Sequence, residues 1–534
     1  MKQAVKIIAL SLIASALAGG SGASAAALST DGLRGSDNRL LLQVTTEAGS
    51  GDMGNLNGAR LQANFRLPNG LTAGPDGSVY VADTRNHEIR KLSDGRVSTA
   101  AGIYYQKDGK GMPIGGLLDG KSDMSLLSQP TGLAADAAGN VYVADTGNHA
   151  IRRIDPSGQV TTIAGDGIMG SKDGQGAQAR FQGPRDVAVA ADGTIYVADT
   201  LNHLIRSISP AGAVKTLNAA SDRYVEVSKG QAAPAGDYAD GALASAKFNE
   251  PSGLALDAQG NLYVSDTGNQ RIRYIDLVQG TVSTVAGIGQ AERLTELYVP
   301  GGYADGAAAT VAFNFPLGLA VTEEGGLVVA DSQNHSIRYV LDGQVTTLAG
   351  TPGQWTGELD GIEAYAEFQR PSDVAVLPDG GILVADSYNN KIRLLQPYRL
   401  PASITADGSV KVVLDQRQIA FDAMPEIDNG RTMVPVRAIT EALGYEVKFD
   451  DDTRAVRLAK AGVTIELYVD RTGVKRIQDG VEGQLKETDT APYIKQDRTY
   501  VPIRFFAEEI GLDVQWDNVT RTAILRSPTT IAAP

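Results

Sequence analysis

The sequence predicts a mainly β chain: a six-bladed β-propeller followed by a small C-terminal α+β domain made of two halves. Three observations point there. One strand–turn–strand unit recurs six times between residues 79 and 393. A lone Thr/Val strand at 41–49 precedes the first unit, and its counterpart is missing after the last. Finally, residues 424–458 recur as 491–525 without a gap.

The unit is VYVADTRNHEIR (79–90), then VYVADTGNHAIR (141–152), IYVADTLNHLIR (195–206), LYVSDTGNQRIR (262–273), LVVADSQNHSIR (327–338) and ILVADSYNNKIR (382–393). A Pro-led apolar strand and a Gly turn precede each copy, and a Thr/Val strand closing on Ala-Gly follows most of them. Four short alternating strands per unit, repeated, describe the blades of a propeller. The sixth unit ends at KIRLLQPYRL without its Thr/Val strand, and LLQVTTEAG (41–49) is the spare copy. That N-terminal strand is expected to complete blade six and leave no open sheet edge.

The unit resembles the NHL repeat over residues 40–397. The resemblance implies a propeller; relatives bind proteins, RNA or sugars, and a few are lyases or hydrolases, so function has to come from the site.

Asp83 and Asn86 suit a tight hairpin turn, where Asp and Asn side chains accept backbone N–H groups. The four histidines, His87, His149, His203 and His335, share one repeat slot, which holds Gln270 and Asn390 in blades four and six. One residue per blade on separate sheets reads as packing and hydrogen bonding rather than catalysis. The repeated Arg90, Arg152, Arg206, Arg273, Arg338 and Arg393 read as ion-pair partners between strands or blades.

Successive repeat aspartates are 62, 54, 67, 65 and 55 residues apart. The extra length falls in the insertions 103–124, 218–240, 288–305 and 351–365, on the face that carries the Asp-Thr-x-Asn turns; loops there are where function collects. They hold Tyr104, Tyr105, Tyr224, Tyr238, Tyr298, Tyr303, Trp355 and Tyr365. Each ring either meets a ligand or pins its own loop. Trp355, in TPGQWTGELDG, has no apolar sequence neighbour and is the first choice as a contact. Asp173, Asp240, Asp305 and Asp360 read as the starts of Asp-Gly turns, since one carboxylate per blade is sparse for calcium.

Residues 1–27 carry Lys2 and Lys6, an apolar run and small residues, the pattern of a secretory leader, with the mature chain starting near Ala26 or Leu28. No later run is long enough to span a bilayer. With no cysteine there are no disulfides and no thiolate metal sites. The net charge of −14, or −16 without Lys2 and Lys6, disfavours nucleic acid.

The C-terminal repeat, MPEIDNGRTMVPVRAITEALGYEVKFDDDTRAVRL against APYIKQDRTYVPIRFFAEEIGLDVQWDNVTRTAIL, predicts a strand, a short helix and another strand in each half. Val436, Ile439 and Leu443, matched by Ile503, Phe506 and Ile510, mark the buried stripes. Residues 403–527, before a tail at 528–534, resemble the copper amine oxidase N-terminal-like, or stalk, domain. That implies a non-catalytic extracellular module, and the absence of His and Cys from 403–527 disfavours copper.

The expected function is a secreted, non-catalytic and monomeric binding protein without cofactor. Its looped face would hold an extracellular protein, peptide or cell-wall glycan, and the stalk domain would act as spacer or envelope attachment. The alternative is a propeller enzyme of lactonase or lyase type. Such relatives usually hold a metal in the channel through His, Glu or Asn, and here the inner strands offer no histidine and few acids.

Overall fold

The structure, a computed structural model, describes residues 28, 32–104, 106–288, 296–351 and 356–529, apart from the side chains at 505 and 506. The leader at 1–27, Tyr105, Trp355 and the side chain of Phe506 therefore lie outside the described residues.

Among these residues are six five-stranded sheets of one strand order. In blade one Pro68–Ala73 is innermost. Val79–Asp83, Glu88–Ser93 and Arg96–Ala101 follow outward, with the two-residue strand Gly58–Ala59 on the rim. The innermost strands Pro68–Ala73, Pro130–Ala135, Asp186–Val189, Pro251–Leu256, Pro316–Val321 and Pro371–Val376 touch in that order, and the last touches the first. The sheets thus close into a ring. In blade six the strand Leu42–Ala48 pairs antiparallel with Lys391–Pro397, from Leu42↔Pro397 to Ala48↔Ile392. Strand alternation turns Leu42 and Val44 to the same side, and both are fully buried.

Within each blade a buried Asp–Arg pair ties the strands together. In blade five Asp331 accepts Arg338 Nη1 at 2.6 Å, Asn334 Nδ2 at 2.8 Å and the Asn314 amide at 2.8 Å. The pairs Asp83–Arg90, Asp145–Arg152, Asp199–Arg206, Asp266–Arg273 and Asp386–Arg393 repeat it. Each guanidinium also reaches the rim: Asp119, Asp173, Asp240, Asp305 and Asp360 in five blades, and Asn57 in blade one. The rim aspartates are therefore arginine partners beside a fifth strand, not only the turn starts expected of them. The arginines join strands of one blade rather than neighbouring blades.

The blades are joined by the histidine slot. Its residue adopts a left-handed backbone, φ 52–59° in all six copies, which His and Asn tolerate better than most. Nδ1 of His87, His149, His203 and His335 accepts an amide of the next blade, at Gln129, Gly183, Glu250 and Arg370, over 2.9–3.1 Å. Gln270 and Asn390 offer a side-chain oxygen to Phe315 and Leu67 instead. What the slot needs is an acceptor, which all three residue types supply. Thr84, Thr146, Thr200 and Thr267 add a hydroxyl bond of 2.6–2.7 Å to the next blade's Pro carbonyl.

A neutral imidazole is required for this latch, and burial pushes all four histidines below their usual range, His203 to about 4. Unfolded His203 takes a proton near pH 6.5, folded His203 only near 4. Its contribution is thus intact above pH 6.5 and lost as pH falls towards 4. The buried aspartates act in the opposite sense: burial pushes Asp199 up to about 6, so the fold binds that proton first. A matched variant separates the two. His203→Gln keeps the acceptor, as Gln270 does, without titrating. We expect the stability advantage of wild type over the variant to shrink between pH 7 and pH 5, by up to about 1.4 kcal/mol per pH unit. A difference independent of pH in melts across that range would overturn the latch as described.

The C-terminal domain holds two halves around strands Arg431–Pro435 and Arg498–Pro502, which pair antiparallel at Val434↔Val501. Helices Val436–Ala442 and Ile503–Glu509 bury Val436, Ile439 and Ile503, with Leu443 and Ile510 half-buried beside them. The domain rests on blade six. Buried Arg526 grips both oxygens of Glu363 at 2.7 and 2.8 Å and Asp513 at 2.7 Å. Glu363 in turn accepts the Leu42 amide, and Leu41, Tyr398 and Ile524 share one apolar cluster. The closing strand, blade six and the C-terminal domain are thereby locked together.

Candidate ligand-binding site

Each turn asparagine donates to a carbonyl of the segment leading into its own blade, in four blades an insertion: Asn86 to Gly54, Asn148 to Gly116, Asn202 to Gly170, Asn269 to Asp237, Asn334 to Gly302 and Asn389 to Gly357. Turns and insertions therefore share a face. At its centre the channel opens as a funnel of about 470 Å³, above a narrow cavity of about 30 Å³.

The funnel is lined by particular repeat slots. One is the Thr or Ser of the turn, nearly constant. The others are the residue before the repeat Pro, different in all six blades, the residue after it, with Ser in blades four and six, and the x of Asp-Thr-x-Asn, which lines the funnel as Arg85, Leu201, Gln333 and Tyr388. Blades six and one bring Arg370, Tyr388 and Arg85 to one sector; Arg370 lies 4.8 Å over the Tyr388 ring and donates to its hydroxyl at 3.1 Å. Blade five presents Phe315 and Leu317, with Tyr298 edge-on to Phe315 at 5.1 Å. Blade three adds Arg185 and Leu201, and blade four Glu250. Tyr298 donates to Glu250 at 2.9 Å, and burial pushes its phenol up to about 12. Whereas every repeat arginine has an acidic partner, Arg85, Arg185 and Arg370 form no ion pair among the described residues; Glu250 and Asp186 act on Arg185 at longer range.

Asp186 and Asp373 stand deeper, in one slot three blades apart. Each accepts its own following amide and one from the next blade, Val187 and Leu254 for Asp186, Val374 and Leu71 for Asp373, over 2.7–2.9 Å. Burial pushes Asp373 up to about 7; burial and then the charge of Asp373 push Asp186 well above the carboxylate range. The other four blades carry glycine here, and a Cβ on Gly132 would fall 2.0 Å from Asp186 Oδ1. Among the described residues no three His, Cys, Asp or Glu side chains group to hold a metal.

The structure does not gather the predicted aromatics into one patch. The Tyr238 ring lies 3.7 Å from Arg271 and 4.6 Å from Arg273, with its hydroxyl on Asp240 and Thr284. Tyr303 repeats this over Arg338, 4.7 Å away, with its hydroxyl 2.8 Å from Thr347. Both pin the rim. Tyr298 borders the funnel, and Tyr104 is half-buried with Lys107 5.8 Å from its ring. Tyr224, on the hairpin Arg223–Ser228 and Gln231–Ala235, and Tyr365 remain open at 69% and 51% exposure.

Comparison with known proteins agrees with this architecture. NHL repeats match at 181–206, 248–273, 313–338 and 368–393, an SMP-30/Gluconolactonase/LRE-like region at 44–164, and the Copper amine oxidase N-terminal domain at 413–525. The fold and these matches define an NHL-repeat propeller. The chain carries, after it, a copper amine oxidase N-terminal domain. NHL repeat-containing protein 2 of Homo sapiens is 30% identical over 399 residues, 70% of this chain and 53% of that protein. Protein SUPPRESSOR OF QUENCHING 1, chloroplastic, of Arabidopsis thaliana is 30% identical over 299 residues, 52% of this chain and 26% of that protein. The chain thus spans about half the length of the first and a quarter of the second. A solved structure described as an auxiliary nutrient binding protein from Bacteroides ovatus aligns at TM-score 0.47 and 15% identity, over 69% of this chain and 83% of that one.

Proposed function

We propose that the protein is an exported, non-catalytic binding module whose funnel receives an anionic, partly apolar ligand, such as an acidic peptide end or a carboxylated glycan. The observation that carries this reading is the pattern of variation: framework slots repeat, while at the funnel the residue before the repeat Pro differs in all six blades and the two other variable slots each repeat only once. Three arginines without ion pairs suit a carboxylate or phosphate, and the Phe315–Leu317 sector suits an apolar body. The C-terminal domain, gripped by Glu363, holds the propeller in a set orientation on whatever it attaches to. An array of cell-wall glycans, acidic peptides and their amides tests this with wild type and an Arg85→Gln/Arg370→Gln variant. The variant should lose at least about tenfold on acids, one charge-assisted contact being worth about 1.5–3 kcal/mol, and little on neutral analogues. Acid binding kept by the variant but lost on trimming Tyr224 and Tyr365 would move the site to the insertions.

A second reading, a lactonase or lyase, draws on the similarity at 44–164 and on Asp373, whose pKa near 7 suits general acid–base work. Against it, every described histidine is committed to a neighbouring blade. Turnover of an aldonolactone panel that disappears in Asp373→Asn would favour the enzyme.

A further inference from the structure

From the packing of Leu28 we infer that the chain is processed between Ala27 and Leu28, and that the new α-ammonium of Leu28 is held by Glu324. The Leu28 nitrogen lies 2.9 Å from each oxygen of the Glu324 carboxylate. A peptide N–H has one hydrogen to divide between two equidistant acceptors; an ammonium gives one to each. The Leu28 side chain is 1% exposed and packs with Leu40, Leu42 and Tyr339, where blades five and six meet. The Tyr339 hydroxyl donates to Glu324 at 2.6 Å, holding the carboxylate in place.

Glu324 is also released from the duty its neighbours perform. At the same turn position Asp76 caps Ser78 and Asp192 caps Thr194, whereas in blades two and four the cap comes from two residues earlier, from Asp136 to Asn140 and from Asp257 to Asn261. In blade five the Thr322 hydroxyl accepts the Gly326 amide instead, so the turn needs no carboxylate and Glu324 serves Leu28. The sequence before Leu28 agrees: Ala25 and Ala27 are the small residues that a leader peptidase reads at the third and first positions before its cut. Hydrolysis adds one water to the Ala27–Leu28 bond, leaving a carboxylate on Ala27 and an amine, protonated at neutral pH, on Leu28.

The inference rests on reading residues 1–27 as an export leader, and the experiment separates the two. Protein exported by a secreting bacterial host with its own leader should begin at Leu28 by intact mass and N-terminal sequencing. Independently of export, tag cleavage can yield chains starting at Leu28 or at one extra Ala before it. The extension should lower the melting temperature by about 2 °C, and Glu324→Gln should abolish that difference. The unmodified α-amine, followed by NMR through the Leu28 ¹⁵N and ¹³Cα shifts of a leucine-labelled chain, should titrate above its ordinary range of about 7.7–8.0. A mature chain with another first residue would overturn the cut. An extension without effect, or one whose effect survives Glu324→Gln, would overturn the pocket.

Discussion

Deleting residues 28–50 should leave a propeller that melts far below the intact protein or does not close. The strand Leu42–Ala48 is the only described partner on the outer side of Lys391–Pro397, and the two-residue rim strand Gly361–Ile362 pairs in turn with Leu42–Ala48. Leu40, Leu41, Leu42 and Val44 are buried. At roughly 2 kcal/mol per side chain they represent roughly 8 kcal/mol of burial, the scale of an ordinary domain's whole stability of about 5–15 kcal/mol. The deletion also strips partners from Glu363 and Ile524, so the C-terminal domain should loosen with blade six. Circular-dichroism melts would read both losses, and a peptide of residues 40–50 added in trans should restore part of them. An unchanged melt would mean that the ring closes some other way.

The pairing of that strand was legible because a surplus strand and a missing one are both visible in a repeat. So were the two halves of the C-terminal domain, with Val434 facing Val501 across their junction. The rim partner of each repeat arginine is also marked in the sequence by a fixed spacing. Asn57, Asp119, Asp173, Asp240, Asp305 and Asp360 all lie 33 residues before their arginine, because insertion length varies upstream of them and never downstream. Tyr238 and Tyr303 likewise each precede that aspartate by two residues, a framework spacing that marks them as rim pins. The funnel was harder. Residues such as Arg185 and Arg370 sit inside short, regular stretches, and only closure of the ring turns six distant slots towards one axis. Long insertions point to the periphery, whereas the funnel varies by substitution at fixed length.

The second large effect is expected at a buried repeat aspartate, and the test is a contrast within one blade. Asp331 and Asp305 both meet Arg338, at 2.6 and 2.8 Å. Asp331 is fully buried and accepts three donors, while the Asp305 side chain is 27% exposed. Burial pushes Asp331 up to about 6, so it is still ionised at neutral pH. Asp331→Ala would leave the Asn334 amide and the Asn314 N–H without their acceptor, and the buried Arg338 charge with only the partly exposed Asp305 as counter-ion, in a place water does not reach. Removing one partner of a buried pair costs about 3–5 kcal/mol. Asp305→Ala leaves Arg338 its inner partner; the Thr347 amide and hydroxyl that it also frees lie at a rim that water reaches, and the ion pair lost there is worth about 1 kcal/mol or less. Urea unfolding of the two variants at pH 7 should therefore separate them by several-fold in lost stability. Asp331→Ala/Arg338→Met, which removes both charges, should recover much of the loss, because the cost lies in the stranded charge rather than in the missing bond. Equal losses at Asp331 and Asp305, or a double variant no better than Asp331→Ala, would show that the blade does not depend on compensating its buried arginine.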